Sequence, residues 1–285
     1  MPGELKRTVR RPDVRLIASG IVRGRDRSMG LRRAVTRAVM GFILALSPAP
    51  TASPAQSADD APVQCVLLRG EAALRACEEV IRSDRPVGAR AEARYNRGVA
   101  LDSLDRRAEA LEEFAEAIRL KADYAAAYMN MGVVFANLSR WDEAVGAYRQ
   151  ALRQRPTYAD AYYNLGVALD SLQRWEEALG AFGEAVRLNS GDADAHYNVG
   201  LVLNTLRRHN DALGAYRSAL RVRPGYANAW GNLGMTAYLL GRYTEAAEAF
   251  ETARELVPDY FDTRPVQRKV WEASRRHRPP LPARR

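Results

Sequence analysis

Residues 227–258, ANAWGNLGMTAYLLGRYTEAAEAFETARELVP, decide the fold of this chain. Apolar positions recur at helical spacing around Gly234 and again from Ala246 to Ala253, so the stretch predicts two antiparallel helices joined by a short turn. Pro258 stops the second helix, because proline cannot continue it. The same pattern recurs upstream. Gly98, Gly132, Gly166, Gly200 and Gly234 stand 34 residues apart without a gap. Leucine follows each glycine by 6 residues (Leu104, Leu138, Leu172, Leu206, Leu240) and alanine by 12 (Ala110, Ala144, Ala178, Ala212, Ala246). An aromatic follows by 16 (Phe114, Tyr148, Phe182, Tyr216, Phe250) and a second alanine by 19 (Ala117, Ala151, Ala185, Ala219, Ala253).

A glycine inside a helix costs about 1 kcal/mol relative to alanine. Five in register are therefore expected to gain close packing, with the aromatic filling the space between hairpins. Pro156 and Pro224 repeat the stop at Pro258, while Ala122 and Ser190 stand there in the other two units. With Trp230-Gly231-Asn232-Leu233-Gly234 as its clearest copy, this pattern closely resembles the tetratricopeptide repeat (TPR). The first unit departs most, with Arg94 and Arg97 where bulky apolar residues are usual. The resemblance implies an all-α fold: an α-solenoid of antiparallel TPR hairpins forming a right-handed superhelix with a concave groove. Five units follow, 91–124, 125–158, 159–192, 193–226 and 227–260.

Solenoid ends expose an apolar face and need caps. Residues 58–90 are expected to form an N-terminal cap with a lone helix, Glu71 to Ser83. Residues 261–275 are expected to form a closing helix, with Asp262 or Thr263 as N-cap and Val266, Val270 and Ala273 covering the last hairpin beside Trp271. The basic, proline-rich stretch 276–285 reads as a disordered tail. Residues 1–57 read as a targeting segment with Met29 as an alternative start. Arg32, Arg33 and Arg37 precede the apolar run Ala38 to Leu46, and small residues at Ser53, Ala55 and Ser57 fit a cleavage site near Ala55 or Ser57. That run is too short to span a bilayer, which takes about 20 residues. The expected location is the periplasm or the exterior. In an exported chain the two cysteines, Cys65 and Cys77, point to a disulfide, the alternative being that Cys77 is a small core residue. Signal, paired cysteines and repeats together resemble exported bacterial TPR proteins.

The formal charge of +9 suggests a nucleic-acid ligand until it is mapped. Residues 58–263 carry 24 Lys+Arg against 30 acids, a net −6, and the basic excess sits in the two flanks. A basic repeat surface, the footprint of nucleic-acid binding, is absent from this pattern. Catalytic signatures are missing too. The three histidines, His196, His209 and His277, share no register, and no nucleophile, phosphate-loop or metal-ligand motif occurs. No cofactor is expected.

Two residues before each glycine stands asparagine: Asn96, Asn130, Asn164, Asn198 and Asn232. Asparagine is a mediocre helix residue, so the column needs a cause. In the family this register faces the groove, and an amide column there resembles the asparagine ladder of some members. An amide both donates and accepts, so it suits the backbone of an extended peptide; bonding between neighbouring hairpins explains it equally and is compatible. Tyr163, Tyr197 and Asp170 join the expected peptide-binding set, in a groove that is amide, aromatic and mildly acidic. It lacks the lysines with which chaperone-binding members clamp a carboxylate. Arginine stands eight residues after each glycine (Arg106, Arg140, Arg174, Arg208, Arg242), either to favour the end of the first helix or to bind an anion. The chain is expected to be a non-catalytic scaffold that holds a partner protein or extended peptide. A self-assembly module with an empty groove and a cytosolic adaptor are the alternatives, and the oligomeric state is open.

Overall fold

The computed structural model describes residues 54–262 and 264–276. The leader reading falls almost wholly outside the described residues, as do Thr263 and the tail beyond Arg276. Thirteen helices occupy the described residues: α1 (Pro54–Leu67), α2 (Gly70–Arg82), α3 (Val87–Ser103), α4 (Arg107–Leu120), α5 (Ala125–Asn137), α6 (Trp141–Gln154), α7 (Ala159–Ser171), α8 (Trp175–Leu188), α9 (Ala193–Thr205), α10 (His209–Val222), α11 (Ala227–Leu239), α12 (Tyr243–Leu256) and α13 (Pro265–Arg276). Helices α3 to α12 are the five hairpins. The two helices of each unit pack on each other, each second helix packs on the next first helix, and α3, α5 and α7 touch in succession. The first helices thus form one layer of the solenoid and the second helices the other.

The repeated glycine packs within its own hairpin rather than between hairpins. A Cβ built on Gly132 would stand 2.5 Å from Cε1 of Tyr148, and one on Gly200 would stand 2.5 Å from Cε1 of Tyr216. Phe114 and Phe182 approach Gly98 and Gly166 in the same way, at 2.7 Å. The missing side chain lets the ring lie flat on the partner helix, and the ring is then almost wholly buried. This expectation was for a ring between hairpins; the shorter path across one hairpin fills the gap instead.

The turns share one device. Asp105, Ser139, Gln173, Arg207 and Gly241 all have positive φ, between 58° and 73°. The following N–H reaches back to the first helix: that of Arg174 donates to the Leu169 carbonyl at 2.9 Å, and that of Arg208 to Leu203 at 2.8 Å. These bonds satisfy carbonyls that a helix end leaves open. Only the fifth unit places glycine at the left-handed residue.

The first unit closes with ions. Glu113, 6% exposed, sits where the other units have Ala147, Ala181, Ala215 and Ala249. Arg94 donates to both of its carboxylate oxygens at 3.1 Å, and Arg97 pairs with it as well. Arg97 also reaches Glu78 of α2 at 3.4 Å. The two arginines that break the repeat pattern are therefore matched by a third departure on the facing helix, and they tie the array to its N-terminal cap.

That cap is a helix pair. One helix is expected between 58 and 90; two are present, because α1 runs back from Leu67 and lays Ala61 and Cys65 against Ala76, Cys77, Val80 and Ala93. Cys65 and Cys77 are joined by a disulfide, with their Cα atoms 4.6 Å apart. At the other end, Tyr260, Phe261, Val270 and Trp271 pack on Phe250 and Ala253, with Trp271 stacked on Phe261 at 5.1 Å. Val266, expected to cover the hairpin, is instead 55% exposed, and the buried residue of α13 is Ser274. Its hydroxyl donates to the Val270 carbonyl at 2.8 Å, so it enters the core without an open donor.

Candidate peptide-binding face

Each first helix presents the asparagine column to its predecessor. The Nδ2 of Asn130 donates to the Tyr95 hydroxyl at 2.8 Å, Asn198 to Tyr163 at 3.0 Å, and Asn232 to Tyr197 at 2.8 Å. Asn164 meets the Met129 sulfur at 3.9 Å, a weak acceptor. Every one of these bonds spans 35 residues and crosses from one unit to the one before. One amide hydrogen per asparagine thus holds the stack in register, and Asn198 is 5% exposed. Asn96 has no such bond among the described residues, α2 offering no tyrosine in that place. What remains for a ligand is chiefly the acceptor oxygen of each amide.

A second column supports the tyrosines. Tyr124, Tyr158, Tyr226 and Tyr260 stand at multiples of the 34-residue spacing, one at the start of each following unit. Tyr124 packs on Tyr95 at 5.1 Å and Tyr226 on Tyr197 at 4.9 Å. A cation lies over each ring: Lys121 over Tyr124 at 5.0 Å, Arg155 over Tyr158 at 4.5 Å, Arg223 over Tyr226 at 4.7 Å and Arg264 over Tyr260 at 4.5 Å. Such contacts add up to about 1 kcal/mol at an exposed site. Arg223 also holds Asp194 with two bonds, at 3.0 and 2.8 Å. Burial pushes the Tyr197 and Tyr226 hydroxyls up, and that of Tyr260 to about 12, so they stay protonated as hydrogen-bonding groups. The sequence reading missed this column although its spacing was available. At Gly231 the tyrosine that belongs one turn earlier is absent because the Tyr260 hydroxyl occupies its space, 1.6 Å from where a Cβ would be.

The third junction departs from this scheme. Asn189 and Asp192 replace the cation and the tyrosine, and Asp192 caps α9 by accepting from the N–H groups of Asp194 and Ala195 at 3.0 and 3.3 Å. Asp170 lies half-buried near the end of α7. In the same register Asp102 meets Arg107 at 3.9 Å, and Asn204 closes a network, donating to Tyr216 at 3.1 Å and Thr236 at 2.7 Å and meeting His209 at 3.0 Å. The Asp170 carboxyl makes no hydrogen bond or ion pair among the described residues. Burial pushes its carboxyl up with no cation to oppose the shift.

The arginine stripe is accounted for by local pairing. Each arginine precedes a second helix and pairs with the acid three residues on: Arg106 with Glu109 at 2.7 Å, Arg140 with Glu143, Arg174 with Glu177 at 2.7 Å, Arg208 with Asp211 at 3.0 Å and Arg242 with Glu245 at 3.8 Å. An acid in a first turn also suits the helix dipole. Among the described residues no group of three or more His, Cys, Asp or Glu is placed to hold a metal, and no helix is long and apolar enough to cross a membrane.

Solved structures share this architecture. MamA aligns with a TM-score of 0.55 at 23% identity, over 58% of this chain and 96% of its own. A fragment of MamA from Desulfovibrio magneticus RS-1 aligns at 0.55 and 25% identity, over 58% and 94%. YrrB, described as a TPR protein with an unusual peptide-binding site, aligns at 0.52 and 27% identity, over 65% and 92%. No curated protein sequence matches significantly. Models of the tetratricopeptide repeat match residues 129–193, 163–213 and 200–261, and a further one matches 91–124. These matches span more than half of the 285 residues and fall on the hairpins whose glycine, aromatic and turn contacts repeat in space, so the chain belongs to the tetratricopeptide repeat family.

Proposed function

We propose that the array is a non-catalytic scaffold that holds an extended segment of a partner protein along its first helices, in the bacterial envelope. The observation that carries this reading is the surface left after the stack has used its own contacts. Val99, Val133, Val167, Leu201 and Met235 form a half-buried apolar column, one per unit. Beside it lie the amide oxygens of the asparagines and the unpaired Asp170. Apolar positions with acceptors alongside suit a chain whose backbone N–H groups need partners. YrrB, with its peptide-binding site, supports the same use of a related array. The envelope location rests on the leader pattern of residues 1–57 and agrees with the Cys65–Cys77 disulfide, since such bonds persist in oxidising compartments.

Photo-crosslinking in cells tests the binding face. A benzophenone side chain at Val133 or Leu201 is expected to capture a protein, and one at Gly214 on the second-helix surface is not. Adducts from Gly214 alone overturn the reading. Mass spectrometry of the mature N-terminus tests export; a chain that retains Met1 or Met29 rules it out.

A further inference from the structure

The helix pair before the first unit keeps the register of the repeat. Counting back from Gly98 by 34 residues and 3 more reaches Ala61. Leu67, Arg69, Ala73 and Cys77 then stand 6, 8, 12 and 16 residues on, in the places of the leucine, the arginine, the first alanine and the aromatic of every unit. Helix α1 starts 7 residues before Ala61 and α2 starts 9 after it, the spacings of α5 and α6 about Gly132. The pair is a sixth hairpin, altered at one contact.

In the five units a buried ring lies on the repeated glycine. Here Cys77 replaces the ring and Ala61 the glycine, in a core of Ala61, Cys65, Ala76, Cys77, Val80 and Ala93. An aromatic ring brings about 150–250 Å² of buried surface, and none of these side chains approaches that. Cys65 stands 4 residues after Ala61, in the register of Asn204, and Cys77 in that of Tyr216. Where Asn204 donates to the Tyr216 hydroxyl at 3.1 Å, the sixth hairpin has the Cys65–Cys77 bond, over the same 12-residue separation. Pro62, inside α1, has no N–H to give to its helix. Five hairpins are thus closed by a ring, and the sixth, with a proline and a core of small side chains, by a covalent bond. Helix α1 also carries the binding face one level further. Pro62 stands in the register of Val99, Val133, Val167, Leu201 and Met235 and is half-buried as they are. One helical turn on, along the same face, Val66 is 53% exposed where the next four units have Ser103, Asn137, Ser171 and Thr205.

We propose that the Cys65–Cys77 disulfide is a redox latch that sets the length of the binding face: the oxidised chain offers six levels, the added one apolar, and the dithiol chain offers five. The proposal rests on the first helices being a peptide-binding face and adds the control of its length. Exchange with a disulfide-bearing oxidant closes the latch. The two cysteine thiols give up two protons and two electrons as the S–S bond forms, and the oxidant leaves as a dithiol. Reduction by a dithiol runs the same exchange backwards. Both sulfurs are buried, so exchange proceeds only when α1 lifts, and the closed bond is shielded.

Hydrogen exchange of the full chain, read over residues 61–67, tests the latch. With Cys65→Ser and Cys77→Ser, exchange there is expected to rise about a hundred-fold, the factor for a bond closing a loop of this length, while α7 to α12 stay as they are. The unaltered chain in excess dithiothreitol should behave alike. Ala61→Gly with Cys65→Ala and Cys77→Phe gives the hairpin a ring and a glycine, and should restore most of the protection with or without dithiothreitol. A benzophenone at Val66 should capture the protein that Val133 captures, in the oxidised chain and in this ring variant. In the serine pair Val66 should lose it while Val133 keeps it. Exchange over 61–67 indifferent to the bond, a ring variant no better protected than the serine pair, or a Val66 crosslink that survives in the serine pair overturns the proposal. If that happens while Val133 and Leu201 still capture a protein, the binding face stands and only its redox control is wrong. If α1 responds but neither Val133 nor Leu201 captures anything in the oxidised chain, the binding face itself is wrong, and the control of its length with it.

Discussion

Replacing glycine by alanine should have opposite effects at two glycines of the same hairpin. Gly200 lies in α9 and Gly214 in α10, both inside helices, where alanine is favoured by about 1 kcal/mol. At Gly214 nothing stands within 4 Å of an added Cβ, so Gly214→Ala should stabilise by about that amount. At Gly200 the Cβ would stand 2.5 Å from Cε1 and 2.7 Å from Cδ1 of Tyr216. The ring cannot retreat easily. It is 0% exposed, and its hydroxyl is tied to Asn204 at 3.1 Å. Overpacking of this kind costs about 1–3 kcal/mol, which outweighs the gain in helix propensity and leaves Gly200→Ala destabilised by up to about 2 kcal/mol. The two variants should therefore move the urea midpoint in opposite directions. Because repeat arrays can unfold in pieces, hydrogen exchange should be read alongside, with faster exchange in α9 and α10 of Gly200→Ala. A midpoint that rises in Gly200→Ala as it does in Gly214→Ala would refute the assignment of the repeated glycine to ring contact.

Glu113→Ala should destabilise the first unit by about 2–3 kcal/mol, since it leaves two arginines facing an apolar hairpin; adding Arg94→Tyr and Arg97→Leu, the residues of the third unit, should recover most of the loss in thermal unfolding. Reduction of Cys65–Cys77, or Cys65→Ser with Cys77→Ser, should cost the cap about 3 kcal/mol for a loop of this length, seen as faster exchange in α1 and α2 with α7 to α12 unaffected. Gln173→Gly should stabilise by about 1 kcal/mol, because Gln173 holds φ at 60° where glycine has no penalty; an unchanged melting temperature would count against the turn geometry. Burial raises the Asp170 carboxyl, so the folded state holds that proton to higher pH than the unfolded chain does. Stability from this group is present at acid pH and is lost as pH rises from the ordinary carboxylate value through the raised one. Asp170→Asn should remove that dependence and leave neutral-pH stability equal or higher, measured by urea midpoints across the acid range.

Much of the architecture was legible because the determinants are local. The 34-residue spacing, the helical periodicities and the prolines that end second helices depend only on near neighbours, and they located all five hairpins. The arginine stripe was visible as well, but it was read as serving the end of the first helix or an anion, whereas each arginine stands before a second helix and pairs with the acid three residues on. What needed the tertiary structure was direction and pairing across distance. Gly132 and Gly146 look alike in the sequence, yet one lies against a tyrosine ring and the other in open space. The asparagine column was visible, but whether an amide meets a ligand or a hairpin depends on a tyrosine 35 residues earlier. Arg94 and Arg97 were visible as misfits, whereas their closure by Glu113 depends on which face of α4 turns inward. Asp170 was assigned to the expected peptide-binding set by its register alone. That it lacks a counter-charge is a fact about every side chain around it, and only packing brings those side chains together.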